Sequence, residues 1–359
     1  MLKARCFCDR FDSVPDEINV LNGTIKSDGC FSSAKKFCQN RLNVSYNPNA
    51  LSPVKWLKFL DDLLEQLDIL TLQEYMGYCM ISSTKAQAML FIIGNGGEGK
   101  SRIGSVMYRL FGNSAYFGSI NEIAEDKFLK YNLIGKSVLI DDDMNLEGLK
   151  NTSFLKSLAN AETPISVQAK GKQAIQVRLN CRTMVFANGT PKSLYDKTAG
   201  WERCLIILST KPVPDSRVND PDLSDKLTEE VEGIFLWALE GLKRLKSQGF
   251  KFTLSVRARK NIMEMKEENC SVVGFLADTQ FVSFGFEFEC STADLYYGYC
   301  HWCRLNGVTF IKQESFSTWM KHNAEKYGLV YDRYVVSVGS TKKARGYRGI
   351  KCLYRVCIV

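Results

Sequence analysis

A glycine-rich stretch, IIGNGGEGKS at positions 92–101, holds the residues best suited to chemistry. Glycine lets the backbone curl so that successive N–H groups point toward one anion, and four glycines here fall within six positions. In the pattern G-x-x-x-x-G-K-S, the lysine is placed to reach the outer phosphates of a nucleotide and the serine hydroxyl to bind magnesium. We therefore predict a loop that binds ATP and Mg²⁺, formed by Gly94, Asn95, Gly96, Gly97, Glu98, Gly99, Lys100 and Ser101.

An acidic stretch downstream could hold the magnesium ion. KSVLIDDDMN at 136–145 is an apolar strand that ends in three adjacent carboxylates, which repel one another unless a cation lies near them. We predict that Asp142 joins Ser101 in binding Mg²⁺ and that Asp143 positions the attacking water, with Asp141 as the substitute. The alternative is a strand that ends in an ordinary charged turn.

Two further polar residues adjoin apolar strands. TMVFANGTP at 183–191 ends its apolar run at Asn188, whose carboxamide could hydrogen-bond a γ-phosphate or the attacking water. An ordinary Asn-Gly turn is the alternative there. Arg203 precedes the apolar run at 204–208 and could neutralise transition-state charge on the nucleotide of a neighbouring subunit. A surface salt bridge is the alternative for this arginine.

Strands and helices must bring these residues together. The continuous apolar run at 88–93 predicts a strand covered on both faces, and apolar residues at helical spacing from Ile103 to Leu110 predict a helix directly after the loop. This is the start of an α/β core. Further helices are predicted within 52–82, as one long helix over 223–248, and over 257–268.

Composition excludes several classes of protein. The 359 residues suffice for two or three domains, and no run of 18 or more apolar residues suggests a membrane span. The N-terminus MLKARCFCDR lacks the apolar core of a secretion signal. Thirteen scattered cysteines indicate reduced intracellular thiols. We therefore expect a cytoplasmic protein that acts away from membranes.

Positive charge is concentrated near the C-terminus. The net charge is +8, and residues 312–359 contain ten basic and three acidic side chains. A compact basic region indicates a nucleic-acid partner, although a solvated basic face is the alternative. We divide the chain into an N-terminal loop-rich and helical region, an α/β core, a helical connector and a basic C-terminal domain, at 1–85, 86–212, 213–269 and 270–359.

The order of glycine loop, acidic strand, asparagine-ended strand and arginine resembles superfamily 3 helicases of the AAA+ class. More narrowly, this order resembles the primase–helicases of phages, plasmids and poxviruses. FDSVPDEINVLNGTI at 11–25 resembles the segment before the helicase core, and LYYGYCHWCRLNG, FSTWMKHNAEKYGL and GYRGIKCL resemble the C-terminal winged-helix domain. The resemblance implies a P-loop NTPase core with a helical N-terminal region and a winged-helix-like C-terminal domain.

The resemblance also implies a mechanism. Members of this family form rings, usually hexamers, that bind ATP between subunits, translocate on single-stranded DNA and unwind forked DNA during replication. A hairpin between the acidic and asparagine strands contacts DNA in the pore, and ISVQAKGKQAIQV at 165–177 fits it, although a plain solvated hairpin is the alternative. The expected DNA contacts are Lys170 and Lys172 at its tip, and Lys342, Lys343, Arg345 and Arg348 in the basic domain.

Two features depart from the family. Many members carry paired arginines at the finger position, whereas Glu202 precedes Arg203 here. Many also carry an N-terminal primase domain, so we expect either a stand-alone helicase or the C-terminal part of a longer polypeptide, with a primase or polymerase as partner in cis or in trans. The alternative function is an origin-binding replication initiator in which ATP gates assembly and unwinding is weak.

Overall fold

A computed structural model shows the arrangement of the chain. It describes residues 14–26, 28–144, 152–161, 163–188, 203–214, 220–269, 271–307, 310–336 and 343–353. The chain forms two compact units, residues 1–265 and 266–359.

The helices and strands are numbered here in chain order. The strands are β1 Glu17–Val20, β2 Gly23–Lys26, β3 Phe31–Ser32, β4 Met89–Gly94, β5 Ala115–Phe117, β6 Val138–Met144, β7 Ile165–Val167, β8 Ile175–Val177, β9 Arg182–Asn188, β10 Leu205–Ser209, β11 Val282–Ser291, β12 Val330–Val335 and β13 Ala344–Cys352. The helices are α1 Val54–Leu63, α2 Gln66–Cys79, α3 Ser101–Phe111, α4 Ile120–Glu125, α5 Lys127–Tyr131, α6 Thr152–Asn160, α7 Leu223–Thr228, α8 Val231–Ser247, α9 Val256–Asn269, α10 Ser271–Ala277, α11 Thr292–Leu305 and α12 Gln313–Asn323.

The first unit has the predicted mixed α/β core, built on a five-stranded sheet. Its strand order is β10-β4-β9-β6-β5, and every neighbouring pair is parallel. Parallel strands need crossovers on the sheet faces, which explains the continuous apolar runs within these strands. Strand β4 buries Leu90 and Ile92 in one apolar cluster and Phe91 and Ile93 in another, so the sheet has a core on each face.

Two helices pack unusually closely beside this sheet. Gly77 of α2 and Gly241 of α8 face each other's helices: a Cβ at Gly77 would lie within 3 Å of the Ala238 carbonyl oxygen, and one at Gly241 within 3 Å of the Gln73 carbonyl oxygen. The two helices therefore contact through backbone. None of the described helices combines the length and apolarity needed to span a lipid bilayer.

The long helix predicted over 223–248 is in fact two helices, α7 and α8. The interruption falls at Glu229 and Glu230. The Glu230 carboxylate accepts hydrogen bonds from the backbone N–H groups of Lys55 (3.1 Å) and Trp56 (3.0 Å) at the start of α1. Glu230 thus satisfies donors that the first turn of α1 leaves open, and this tertiary contact coincides with the break.

The second unit packs helices against an antiparallel sheet of order β11-β13-β12. Tyr299 of α11 is fully buried at its centre and stacks on Phe316 of α12 with 4.9 Å between ring centroids. The Tyr299 hydroxyl lies 2.6 Å from the Ser271 hydroxyl and accepts the N–H of Ile311 at 3.0 Å. A buried tyrosine requires such partners, so this contact ties α10, α11 and the segment before α12 together.

The glycine contact between α2 and α8 yields a stability prediction. Gly241→Ala is expected to lower the free energy of unfolding by about 1–3 kcal/mol, because the added methyl forces the helices apart despite the better helix propensity of alanine. Urea denaturation measures this change. Glu240→Ala, at the exposed neighbouring position, is the control and should change the value by less than about 0.5 kcal/mol. Equal effects of the two substitutions would contradict the close contact.

Candidate functional site

The carboxyl ends of three adjacent strands form the floor of the candidate site. In the register between β4 and β9, Gly94 pairs with Asn188, and β6 lies on the other side of β9. In open α/β sheets, ligands bind at this edge. A cavity of about 520 Å³ opens there, lined by Gly96, Gly97, Gly99, Lys100, Ser101, Arg102, Asp142, Asp143, Phe186, Ala187, Asn188, Asp220 and Leu223.

The glycine loop has the backbone that its sequence predicts. Three glycines of the loop have positive φ angles, which residues other than glycine rarely adopt: Gly96 (+104°), Gly97 (+82°) and Gly99 (+99°). Among the described residues, no acceptor lies within hydrogen-bond range of the N–H groups of Gly97 and Gly99. Both glycines line the cavity, so these donors are available to an anion in it.

Glu98 belongs to the loop but does not line the cavity. Its carboxylate accepts the N–H groups of Asn95 and Gly96, the latter at 3.0 Å, and only 4% of the residue is exposed. Burial by itself would raise the pKa of Glu98, but the hydrogen bonds from Lys100 and from the loop backbone outweigh it and lower the pKa. Glu98 is therefore charged at neutral pH.

Lys100 is held between two elements. Its Nζ donates to Glu98 Oε2 at 2.8 Å and to Asn188 Oδ1 at 3.2 Å. An ammonium group carries three donors, so one remains for a ligand in the cavity that Lys100 lines. Gly94 makes this arrangement possible, because a Cβ there would lie within 3 Å of both Glu98 Oε1 and Lys100 Nζ.

Two of the three aspartates face the cavity. Asp142 and Asp143 line the cavity together with Ser101. Burial raises the pKa of Asp142; the nearby Ser101 hydroxyl offsets part of this effect, and the charge of Asp143 adds to it. Strand β6 extends through these residues to Met144, although its register with β9 shifts between Asp141 and Met144.

Asp141 has a different environment from its two neighbours. Its Oδ2 accepts the backbone N–H of Ile120 at 2.8 Å, at the first residue of α4, and only 5% of Asp141 is exposed. Burial raises the pKa of this carboxyl despite that bond, and the charges of Asp142 and Asp143 raise it further. Asp141 does not line the cavity. Its contacts are those of a residue that anchors α4.

The other predicted catalytic residues lie at opposite edges of the sheet. Asn188 ends β9 at the cavity. Arg203 is exposed and lies before β10, at the amino edge. Since β10 runs parallel to β4 and spans five residues, about 15–20 Å of strand separates Arg203 from the carboxyl edge. The cavity of one chain therefore does not contain its own Arg203.

None of the predicted DNA contacts that the structure describes lines this cavity. Lys170 and Lys172 are exposed in the turn between β7 and β8, on either side of Gly171 at φ +76°. In the second unit, Lys343 and Arg345 are exposed at the start of β13. Arg348 lies 3.3 Å from Glu289 and 2.8 Å from Asp332, so two carboxylates share its charge. Lys342 lies outside the described residues.

Three residues that line the cavity were not predicted from the sequence: Arg102, Asp220 and Leu223. Arg102 Nη1 donates a hydrogen bond to Ser224 Oγ of α7 at 2.7 Å. No motif marks these residues, because they meet only through packing of α7 beside α3. Within the described ranges, no group of three or more histidine, cysteine, aspartate or glutamate side chains could hold a metal ion. Any ion here would rely on fewer protein ligands.

Comparisons with known proteins find similarity over the part of the chain that contains this site. A family described as "Family of unknown function (DUF5906)" matches residues 92–203, less than half of the chain. That segment begins within β4 and ends at Arg203, so it includes Lys100, Asp142, Asp143 and Asn188. No curated protein matches the chain.

Solved structures of one protein share the fold. An apo structure of the NrS-1 C-terminal region (305–718) has 14% sequence identity and a TM-score of 0.55, covering 94% of this chain and 83% of that chain. The A form of the same region has 13% identity and a TM-score of 0.56, covering 85% and 77%. A further A form matches at 13% and 0.52, over 70% of this chain and 59% of that one, less than two thirds of its length. At these identities the likeness is one of fold.

The contrast between the aspartates yields a prediction. Asp141→Ala should lower the free energy of unfolding by about 1–3 kcal/mol, because the buried N–H of Ile120 loses its acceptor. Asp141→Asn keeps an acceptor and removes a buried charge, so at pH 7 it should match or exceed the wild type in urea denaturation.

The pH dependence provides a second reading of the same variants. A folded pKa above the unfolded value means that the Asp141 charge costs stability at neutral pH, and that this cost disappears as pH falls through the folded pKa. Any stability advantage of Asp141→Asn should therefore shrink as the solution is acidified below that pKa. An asparagine variant as unstable as the alanine variant would contradict the anchoring role.

Proposed function

We propose that the protein is an ATP hydrolase of the P-loop type that works as a ring-shaped DNA motor in replication. The observation that supports it most directly is the convergence of Lys100, Ser101, Asp142, Asp143 and Asn188 on one cavity beside a glycine loop with open N–H donors. These residue types are the ones that bind and hydrolyse a nucleoside triphosphate. The sequence resemblance to superfamily 3 helicases supplies the DNA-motor part of the proposal.

Each residue has a role in this proposal. The N–H groups of the loop would bind phosphate oxygens, and Lys100 would contact the outer phosphates with its remaining donor. Ser101 and Asp142 would hold Mg²⁺, and they fit it, because both line the cavity. Burial, and to a smaller extent the charge of Asp143, raises the pKa of Asp142, and a cation would relieve this cost of its charged form. Bound Mg²⁺ would supply positive charge against the phosphates.

The attacking water needs its own partners. Asp143 lines the cavity beside Asp142 and would accept a hydrogen bond from that water, while Asn188 would orient it or the γ-phosphate. Asn188 already accepts from Lys100 at 3.2 Å, so the carboxamide and the lysine act as one unit. Asp141 is left out of the chemistry in this proposal because α4 occupies its carboxylate.

Arg203 motivates the oligomeric part of the proposal. It is exposed at the amino edge of the sheet, opposite the cavity of its own chain. An arginine that assists hydrolysis from this position must therefore reach the cavity of another copy. A ring of subunits, which the family resemblance suggests to be a hexamer, would repeat this contact around its circumference.

DNA contacts are proposed at two basic surfaces. The exposed lysines of the β7–β8 turn, Lys170 and Lys172, suit sequence-independent contact with phosphates of single-stranded DNA in a ring pore. In the second unit, Lys343 and Arg345 are exposed at the start of β13, which pairs antiparallel with β12. We propose that this unit is a winged-helix-like domain that binds duplex or forked DNA.

The ATPase proposal is tested first by the lysine. Wild-type protein should hydrolyse ATP in the presence of Mg²⁺, and single-stranded DNA should increase the rate. Lys100→Ala should reduce turnover by about 100-fold or more, since the charge that binds the outer phosphates is lost. Phosphate release is the measurement, and Lys136→Ala is the control because Lys136 is partly exposed, does not line the cavity and donates to a backbone carbonyl oxygen. A folded wild type without ATP hydrolysis on any DNA would overturn the function.

The shared-site proposal is tested by mixing. Arg203→Ala alone should bind ATP but hydrolyse it slowly. Mixed with wild-type protein, it should depress activity below the value that dilution predicts, because each mutant subunit leaves a neighbouring site without its arginine. The measurement is turnover as a function of the mixing ratio. Full DNA-stimulated activity of Arg203→Ala would exclude a role for this arginine.

A further inference from the structure

Glu98 occupies a position that the proposed chemistry does not use. Its carboxylate accepts hydrogen bonds from the N–H groups of Asn95 and Gly96 and from the ammonium of Lys100. Glu98 and Lys100 are 4% and 7% exposed, which makes this a buried ion pair. A buried ion pair that is held by further hydrogen bonds to the loop and to Asn188 keeps a fixed geometry, so Glu98 helps to determine where the Lys100 ammonium lies.

The same contact changes the charge that a ligand meets. Among the described residues that line the cavity or bond its lysine, Lys100 and Arg102 are positive, whereas Glu98, Asp142, Asp143 and Asp220 are negative. Glu98 compensates the charge of Lys100, and Asp220 offsets that of Arg102, which leaves Asp142 and Asp143 uncompensated. A metal-free polyphosphate entering the cavity would meet a neutralised lysine and two carboxylates, and repulsion would oppose its binding.

We propose that Glu98 is a positioning residue that holds and neutralises Lys100, so that this loop binds a polyphosphate only together with a divalent cation. The inference rests on the proposed nucleotide-binding function and deepens it. The cation restores the positive charge that Glu98 removes, and the held lysine then contacts the outer phosphates in a defined place. Metal-free nucleotide is rejected, which keeps the cavity empty until the cation complex arrives.

Binding measurements with and without the cation test this inference. Dissociation constants for ATP and for inorganic tripolyphosphate are measured by calorimetry on the full chain, in Mg²⁺ and in EDTA. For wild type, the affinity should fall steeply in EDTA. Glu98→Gln preserves the shape of the side chain but removes its charge, so the ratio of the two affinities should shrink by about tenfold, equivalent to about 1.4 kcal/mol. Most of the change should be tighter binding in EDTA.

A matched control separates this effect from general charge. Glu229→Gln makes the same change at a side chain that is 70% exposed and far along the chain, and its affinity ratio should equal that of wild type. A Glu98→Gln ratio equal to wild type would show that Glu98 only supports the loop backbone. Weaker binding in both conditions would show the same, since a pure support loses affinity for every ligand when it is weakened.

Wild-type protein alone can also overturn the inference, even if the Gln variant does not fold. Tripolyphosphate that binds equally well in Mg²⁺ and in EDTA would show that the lysine is not neutralised. Failure of the proposed function has a different signature: wild type would then bind neither ATP nor tripolyphosphate in either condition, and Lys100→Ala would bind no less than wild type.

Discussion

The parallel pairing of β4 with β9 is the constraint on which the site depends. It places Gly94 and Asn188 side by side, and it sets β6 on the other side of β9 with its acidic residues at the same edge. Residues separated by more than ninety positions in the sequence thereby reach one cavity. A shift of this register by one residue would turn every side chain of the shifted strand to the opposite face of the sheet and separate Lys100 from Asn188.

Backbone geometry and charge cooperate in the loop that follows β4. The positive φ angles of three glycines open the loop, and the missing side chain of Gly94 admits the Glu98 carboxylate and the Lys100 ammonium to the end of the strand. Glu98 satisfies the first N–H groups of the loop, while those of Gly97 and Gly99 remain open to the cavity. The loop is therefore partly satisfied by the protein and partly left for a ligand, as expected of a preorganised anion site.

The three aspartates show how one strand separates similar residues into different roles. All three adjoin one another in β6, yet Asp141 anchors α4, whereas Asp142 and Asp143 line the cavity. Burial, and to a smaller extent mutual repulsion, raises the pKa of Asp141 and of Asp142. Charged groups held together in this way are common at functional sites, because stability alone would not favour them.

The sequence by itself determined the local features of this protein. It predicted the strand, loop and helix around Lys100, the apolar strands that end at the aspartates and at Asn188, and the α/β character of the core. These follow from periodicity and from glycine chemistry, which depend on near neighbours in the chain. Where helices break was less accessible: the interruption at Glu229 and Glu230 accompanies a contact with α1 some 175 residues away.

Only the tertiary structure decided which of these residues share a site. The sequence suggested roles for the three aspartates, but it could not show that Asp141 contacts α4 while Asp142 and Asp143 line the cavity, because α4 comes from elsewhere in the chain. The sequence also could not show that Glu98 accepts a hydrogen bond from Lys100, or that Leu223 of α7 lines the cavity. Nor could it show that Arg203 lies at the opposite edge of the sheet from Asn188. Strand order and register set those distances, and both depend on long-range packing that no single stretch of sequence encodes.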